Sequence, residues 1–415
     1  MVIPSIVTDD PSYAKSIDTT SLSCDTSLIS GSGKSKLVDH QARQPWEIHG
    51  SVLECIGQTP IIKLQRMGPP AVNVYVKCES NNPGGSIKDR LALGIIEWAE
   101  NTGRLSPGQT VVEASSGNTG IGLAMVCAQK GYPFICVMSE NYSIERRKIM
   151  RFYGAKVILT PKQHKGTGML IKAQELADTH GWFYCKQFEN EANAWIHETT
   201  TGPEITKAFQ NEGQKLDHFF MSYGSGGTFL GVTRYLGKTS PETCLHLCEP
   251  SNAPMMKSGI PTKYPRRGVP STSFDKAHPV WSPHVIQGWA ADFIPKLISK
   301  ARDDIDEIHH VRGKAAIETT LELARKEGIS SGISGGGILS AALEFAETCP
   351  PGTNILAVIP DTGERYMSTD LFQDIPSEMT PEEIELSQST KGEAPPPAPA
   401  LSGILPTNTD DLFDM

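Results

Sequence analysis

The chain has 415 residues, 38% of them hydrophobic and 20% charged, enough to bury the cores of a two-domain α/β protein. Net charge is -9, but the stretch from Pro381 to Met415 holds seven acids against Lys391. The body is therefore nearly neutral and offers no broad basic field for nucleic acid. No apolar run approaches the roughly 20 residues of a membrane span, and nine irregularly spaced cysteines read as free thiols of a reducing compartment.

Residues 1–45, rich in Ser, Thr and Asp, are expected to form a disordered tail. Asp9 and Asp10 argue against a basic transit helix, so a cytoplasmic location is expected. A P-loop reading of Gly33-Lys34-Ser35 fails because Leu28 stands where glycine is required. The apolar stretches 72–77, 134–138, 156–159 and 355–359 alternate with helical periodicity, the signature of parallel sheets covered by helices.

After the first of these strands comes Asn81-Asn82-Pro83-Gly84-Gly85-Ser86-Ile87-Lys88-Asp89-Arg90. Ser86 with Asp89 is a capping-box pattern, and Ile87, Leu91, Ile95 and Trp98 supply an apolar face, so a helix is expected to begin at Ser86. Lys88 then lies in the first turn, where a cation opposes the helix dipole. An amine whose charge is suppressed resolves the conflict, and such an amine suits Schiff-base chemistry.

Two glycine-rich turns follow. The first, Glu113-Ala114-Ser115-Ser116-Gly117-Asn118-Thr119-Gly120, joins the apolar pair Val111 and Val112 to a helical stretch over 121–130 that Gly131 can cap. Small hydroxyl and amide side chains beside free backbone N–H groups make a carboxylate site. The second, Ser222-Tyr223-Gly224-Ser225-Gly226-Gly227-Thr228, follows Phe219-Phe220-Met221 and precedes a helix from Phe229. Its glycines and hydroxyls suit a phosphate. A dinucleotide fingerprint counted from Gly224 fails, because Phe229 occupies the third glycine's place. Cys244-Leu245-His246-Leu247-Cys248 has the alternation of a strand rather than metal-ligand spacing, and no metal is expected. Beyond about Ser377 the acidic, Pro-rich sequence through Pro395-Pro396-Pro397-Ala398-Pro399 reads as a second tail.

Taken in order, these segments resemble the cysteine synthase and cystathionine β-synthase family of pyridoxal-phosphate enzymes of fold type II, most closely O-acetylserine sulfhydrylase. Further matches are Ile56-Gly57-Gln58-Thr59-Pro60, Ser143-Ile144-Glu145-Arg146-Arg147, Gln187-Phe188-Glu189-Asn190, Thr200-Thr201-Gly202-Pro203-Glu204, Gly332-Ile333-Ser334 and Asp361-Thr362-Gly363-Glu364-Arg365-Tyr366. The resemblance implies two α/β domains, residues 46–194 and 195–377, each a mainly parallel twisted sheet covered by helices. The cofactor would lie in the cleft between them, and the first strands of the N-terminal part would pack on the other domain. It implies Lys88 as the Schiff-base lysine and general base, and Asn118 on the cofactor's ring oxygen. Gly224, Ser225, Gly226, Gly227 and Thr228 would hold the phosphate, with Ser334 at the pyridine nitrogen. Ser115, Ser116, Gly117 and Thr119, with Gln187, would grip the substrate carboxylate.

The reaction implied is β-replacement on an O-activated serine through an aminoacrylate, most simply O-acetylserine plus sulfide giving cysteine and acetate, in a homodimer. The alternatives are another leaving group or nucleophile, including O-phosphoserine, serine with homocysteine, water, or a specialised-metabolism product. A non-catalytic scaffold is the reading outside enzymes. Where sulfhydrylases have Gln-Gly-Ile-Gly-Ala-Gly-Phe beside the amino-acid site, this chain has Gln287-Gly288-Trp289-Ala290-Ala291-Asp292-Phe293. Trp289 and Ala290 are thus expected to border the substrate, with Asp292 altering the polarity there. The segment 250–283, longer than its sulfhydrylase counterpart, could cover the entrance through Lys263-Tyr264-Pro265-Arg266-Arg267.

Overall fold

A computed structural model describes residues 48–264 and 277–390. Both ends of the chain and Pro265-Arg266-Arg267 lie outside that range, and with them the reading of residues 1–45 as a tail and that of the basic loop. The unit running to Leu371 contains every strand described. Its elements are β1 (Ile61–Lys63), β2 (Asn73–Cys78), α1 (Lys88–Asn101), β3 (Val111–Ala114), α2 (Asn118–Lys130), β4 (Phe134–Ser139), α3 (Ile144–Phe152), β5 (Lys156–Thr160), α4 (Lys165–His180) and β6 (Phe183–Tyr184). The chain continues with α5 (Glu191–Ile196), α6 (Gly202–Asn211), β7 (His218–Ser222), α7 (Gly227–Thr239), β8 (Cys244–Pro250), α8 (Met255–Ser258), α9 (Lys296–Lys300), β9 (Glu307–Val311), α10 (Gly313–Glu327), α11 (Ile333–Ala346) and β10 (Asn354–Ile359).

These strands form two sheets. One has the order β5-β4-β3-β6 and is wholly parallel. The other has the order β1-β2-β10-β7-β8-β9 and is parallel except for β1, which pairs antiparallel with β2. The early strands β1 and β2 therefore belong to the sheet built from the C-terminal half. Strands β3, β4 and β10 are buried along their whole length, as sheets covered on both faces require. Leu91, Ile95, Ile96, Ile121 and Val126 interlock α1 with α2 in a core that reaches Val111 and Met138 of the smaller sheet.

One helix start differs from expectation. Helix α1 begins at Lys88, two residues late, and no capping box forms. Ser86 bridges to Asp361, its Oγ accepts from the N–H of Lys88 at 3.2 Å, and Asp89 accepts from the N–H of Gly84 at 2.6 Å. The pair that would cap the helix instead shapes the glycine turn before it. A buried ion network anchors the same helix: Arg90 donates from Nε to Glu79 at 2.8 Å and from Nη1 to Glu204 at 2.7 Å, and Lys77 donates to Glu204 at 2.8 Å. Removing one member of such a buried network typically costs about 3–5 kcal/mol.

The short unit after Leu371 carries one helix among its described residues, α12 (Pro381–Gln388), inside the stretch expected to be tail. Thr380 and Glu383 form a capping box there and Pro381 pre-sets the first turn. The acidic residues that suggested a solvated tail are the same ones that favour a helix N-terminus. The Pro-rich segment beyond lies outside the described residues.

Candidate active site

Helices α1, α2, α7 and α11 all begin at the edge of one cavity of about 890 Å³. Parallel strands place the following helix N-termini on one side of a sheet, so ligand sites collect there. Lys88, Ser115, Ser116, Asn118, Thr119, Gln187, Gly224, Ser225, Trp289, Ala290 and Ser334 all line this cavity, although they come from sequence positions more than 200 residues apart. Gly117, Gly226, Gly227 and Thr228 are not among its lining residues but belong to the turns that supply them.

Lys88 heads α1. Burial pushes its amine down to about 8, against the pull of Asp361 and Glu79 toward the charged form. The charge suppression expected of this lysine is thus a matter of desolvation. Asn118 heads α2, where its Oδ1 accepts from Arg365 at 2.8 Å and its Nδ2 donates to Asp361 at 2.6 Å. An amide carries two N–H donors, so one remains for the cavity. Ser334 lies in the first turn of α11.

The carboxylate turn is more internally bonded than its sequence suggests. Ser115 Oγ accepts from the N–H of Gly117 and of Gly120, both at 3.0 Å, and so caps α2 while keeping its own proton to donate. Thr119 donates to Gln187 Oε1 at 2.7 Å, and Gln187 Nε2 donates to the carbonyl of Ala114 at 2.6 Å. Gly117, with φ 150°, lies so close to Arg146 that an added Cβ would come within 2.1 Å of its Cδ. That guanidinium stacks over Tyr366 and donates to the carbonyl of Ser116 at 3.1 Å.

The 224–228 turn fits an anion. A Cβ on Gly224 would lie 2.3 Å from the carbonyl oxygen of Gly288, and one on Gly226, at φ 88°, 2.5 Å from the backbone nitrogen of Ile298. Only glycine allows this close approach. Ser225 Oγ accepts from Asn193 at 2.9 Å, which leaves its proton to donate. The first turn of α7 adds N–H groups that have no intrahelical partner. Thr228 pairs with His197 at 3.1 Å, behind the turn. A phosphate held here and an amine of lowered pKa across the same cavity are what pyridoxal phosphate needs, so these residues fit that group.

The substituted loop lines the cavity from Gln287 to Phe293, Asp292 included. The Asp292 carboxylate is also engaged by Thr167, accepting from its N–H at 3.2 Å and its hydroxyl at 2.9 Å. It pins the loop to the start of α4. Trp289 lines the cavity and also packs on α11, where a Cβ on Gly337 would meet its ring at 2.8 Å. Ala290 sits at φ 32°, with its N–H bonded to Tyr223 and its carbonyl accepting from Trp281 at 3.0 Å and His284 at 3.1 Å. Left-handed backbone at a non-glycine residue costs about 1–3 kcal/mol and tends to cluster at functional sites.

Several site residues have no assigned role in the sequence reading. Asp361 accepts from Asn118 and, at 2.7 Å, from Tyr366, while its other buried oxygen has no partner. Arg365 ties Asn118 to the carbonyl of Gly84. Glu113, raised to about 8 by burial, accepts from the N–H of Ala114 and of Gln187 and so ties the 113–120 turn to the segment at Gln187. An acid inside the apolar strand β3 was the available signal for Glu113. Nothing local marks Asp361 as a neighbour of Asn118, 243 residues away.

Comparison with known proteins agrees with this geometry. The family described as pyridoxal-phosphate dependent enzyme matches residues 52–361. The O-ureido-L-serine synthase of Streptomyces lavendulae is 45% identical over 328 residues, covering 79% of this chain and 94% of the relative. A cysteine synthase of Staphylococcus aureus is 41% identical over 323 residues, covering 78% and 96%. Among solved structures, O-ureido-L-serine synthase superposes with a TM-score of 0.74 at 44% identity, covering 82% of this chain and all of that one. Cysteine synthase from Entamoeba histolytica gives 0.70 at 30% identity, covering 82% and 95%.

Proposed function

We propose, from the premise that this chain belongs to the cysteine synthase branch of the pyridoxal-phosphate dependent enzymes, that it catalyses β-replacement on an O-activated L-serine, most simply O-acetylserine plus sulfide giving L-cysteine and acetate. The chain is a fold type II enzyme with pyridoxal phosphate as cofactor. The observation that carries the reaction is the placement of Lys88, with its lowered pKa, in one cavity with the carboxylate turn and the 224–228 turn.

When bound, pyridoxal phosphate supplies the electron sink that acidifies the substrate Cα–H and lets the β-substituent leave. In our assignment Lys88 holds the cofactor covalently, and its freed Nζ takes the Cα proton and later returns it. An amine near 8 can do both at neutral pH. Ser225 and the N–H groups of Gly226, Gly227 and Thr228 hold the phosphate, with Gly224 keeping the turn low against Gly288. Asn118 is assigned to the ring oxygen and Ser334 to the ring nitrogen, where a hydroxyl can only hydrogen-bond and leaves the sink weaker than a carboxylate would. Ser115, Ser116 and Thr119 orient the substrate carboxylate, with Gly117 giving the turn its shape and Gln187 bracing Thr119. Trp289 and Ala290 border the side chain and exclude water there.

A second reading replaces sulfide by another nucleophile. The identity to O-ureido-L-serine synthase and the altered loop at 287–293 support it. Assay of the purified enzyme with O-acetylserine, O-phosphoserine and serine, each with and without sulfide, separates the readings. Cysteine formed from O-acetylserine only when sulfide is present is the expected result. Consumption of O-acetylserine with no cysteine formed would sink the sulfide version. A homodimer in the cytoplasm is part of the same proposal, and sedimentation at the monomer mass would remove the dimer. No helix among the described residues is long and apolar enough to cross a membrane.

A further inference from the structure

A second cluster of ionisable side chains stands apart from the cavity, on the last three strands of the larger sheet. Parallel strands β7, β8 and β9 bring His218, His246 and His309 together on a diagonal, each two residues out of register with the next. His246 Nε2 faces His218 Nδ1 at 2.9 Å, and His246 Nδ1 faces His309 Nε2 at 2.8 Å. Glu307 lies two residues before His309 on β9, hence on the same face. Its carboxylate approaches His246 Nδ1 to 3.7 Å and His309 Nε2 to 3.8 Å. Among the described residues this is the one group of three whose ligand atoms converge within 4.8 Å. Phe220 stacks on the His246 ring at 4.2 Å and Phe345 of α11 packs beside it at 4.6 Å, tilted by 55°. His246 is buried while the Glu307 side chain is 53% exposed, which leaves the cluster open to solvent on one side.

We propose that His246 Nδ1, His309 Nε2 and the Glu307 carboxylate bind a divalent transition-metal ion of the Zn²⁺ class, with the remaining position open to water. At Zn–N bonds of about 2.0–2.1 Å, two tetrahedral ligands lie about 3.3 Å apart. The two nitrogens must therefore separate, and the carboxylate approach, by about half an ångström each. Two imidazole nitrogens aimed at each other need a proton between them, and the ion takes that place. His246 then carries its proton on Nε2 and donates it to His218 Nδ1, the outer partner that fixes the tautomer of a metal-bound histidine. The sequence signal was misleading because Cys244 and Cys248, the obvious companions of His246, are not its partners here.

The test uses holoenzyme freed of metal by chelator and titrated with Zn²⁺, with calorimetry for affinity and native mass spectrometry for stoichiometry. Wild type is expected to take up one Zn²⁺ per chain at this site. His309→Gln and Glu307→Gln should each weaken that binding at least tenfold, and His218→Ala about 10–100-fold as an outer partner. Unchanged melting of each variant without Zn²⁺ establishes that it folds, and the half-exposed Glu307 makes E307Q the safe member of the set. Absence of binding at micromolar Zn²⁺, or less than tenfold weakening in either ligand variant, overturns the proposal.

Discussion

The two loops that touch each other at the cavity wall are held in shape by different means. The 224–228 loop, which we assign to the phosphate, is specified by glycines whose missing side chains let Gly288 and Ile298 come close. Packed directly against it, the 287–293 loop has one glycine at positive φ, Gly288 at 93°, but also bends at Ala290, a non-glycine residue, and is held there by contacts from Tyr223, Trp281, His284 and, through Asp292, Thr167. A backbone written in glycines cannot drift without losing its fit. One held by side chains from distant segments can change its lining while the cofactor-binding loop stays the same. On our assignment, cofactor binding and substrate choice should therefore respond separately to substitution.

Lys88 belongs to neither loop and sets the scale for both. Lys88→Met should cut turnover by about 10²–10⁴-fold or more from lost proton transfer alone, while absorbance of the dialysed protein still reports some retained cofactor. Unimpaired turnover would remove the central assignment. The same substitution has a stability consequence in cofactor-free protein. The folded-state pKa of about 8 lies below the ordinary 10.5, so the folded state binds fewer protons between those values. The lysine therefore costs stability below pH 8, and the cost fades as pH rises toward 10.5. Lys88→Met should be more stable at pH 7 by about 3 kcal/mol, the free energy that corresponds to the separation of those two pKa values. Denaturant titrations should show the gap closing by pH 10.5. A gap independent of pH would show that packing, not charge burial, is responsible.

On the cofactor side, Gly226→Ala combines a forbidden φ with a clash against backbone. It should lower stability by about 1–3 kcal/mol and weaken pyridoxal phosphate binding in equilibrium dialysis. In the neighbouring loop, Asp292→Ala removes the two hydrogen bonds to Thr167 and should cost about 1–3 kcal/mol, raising KM for the amino acid while the bound-cofactor spectrum holds. Loss of cofactor in D292A would erase the distinction between the loops. The smallest effect is expected from Ala290→Gly, where relief of strain is offset by greater unfolded-state freedom, for a net gain within about 1 kcal/mol and a melting temperature raised by a few degrees at most.

The sequence alone determined the strand–turn–helix units, because each rests on neighbours in the chain. Apolar runs became β3, β4, β7 and β10, Gly131 capped α2 at φ 79°, and Lys88 fell in a first helical turn. Even there one local rule gave way, since Ser86 and Asp89 were drawn to Lys88, Asp361 and Gly84 rather than to a capping box. What only the tertiary structure decided depends on groups far apart in the chain whose charges and hydrogen bonds meet in a low-dielectric interior. Desolvation lowers the Lys88 amine, Asp361 meets Asn118, and Asp292, on the cavity wall, is held by Thr167. The histidine cluster across β7, β8 and β9 is of the same kind, since strand register, not sequence spacing, brings the ring nitrogens within 2.8 and 2.9 Å of one another.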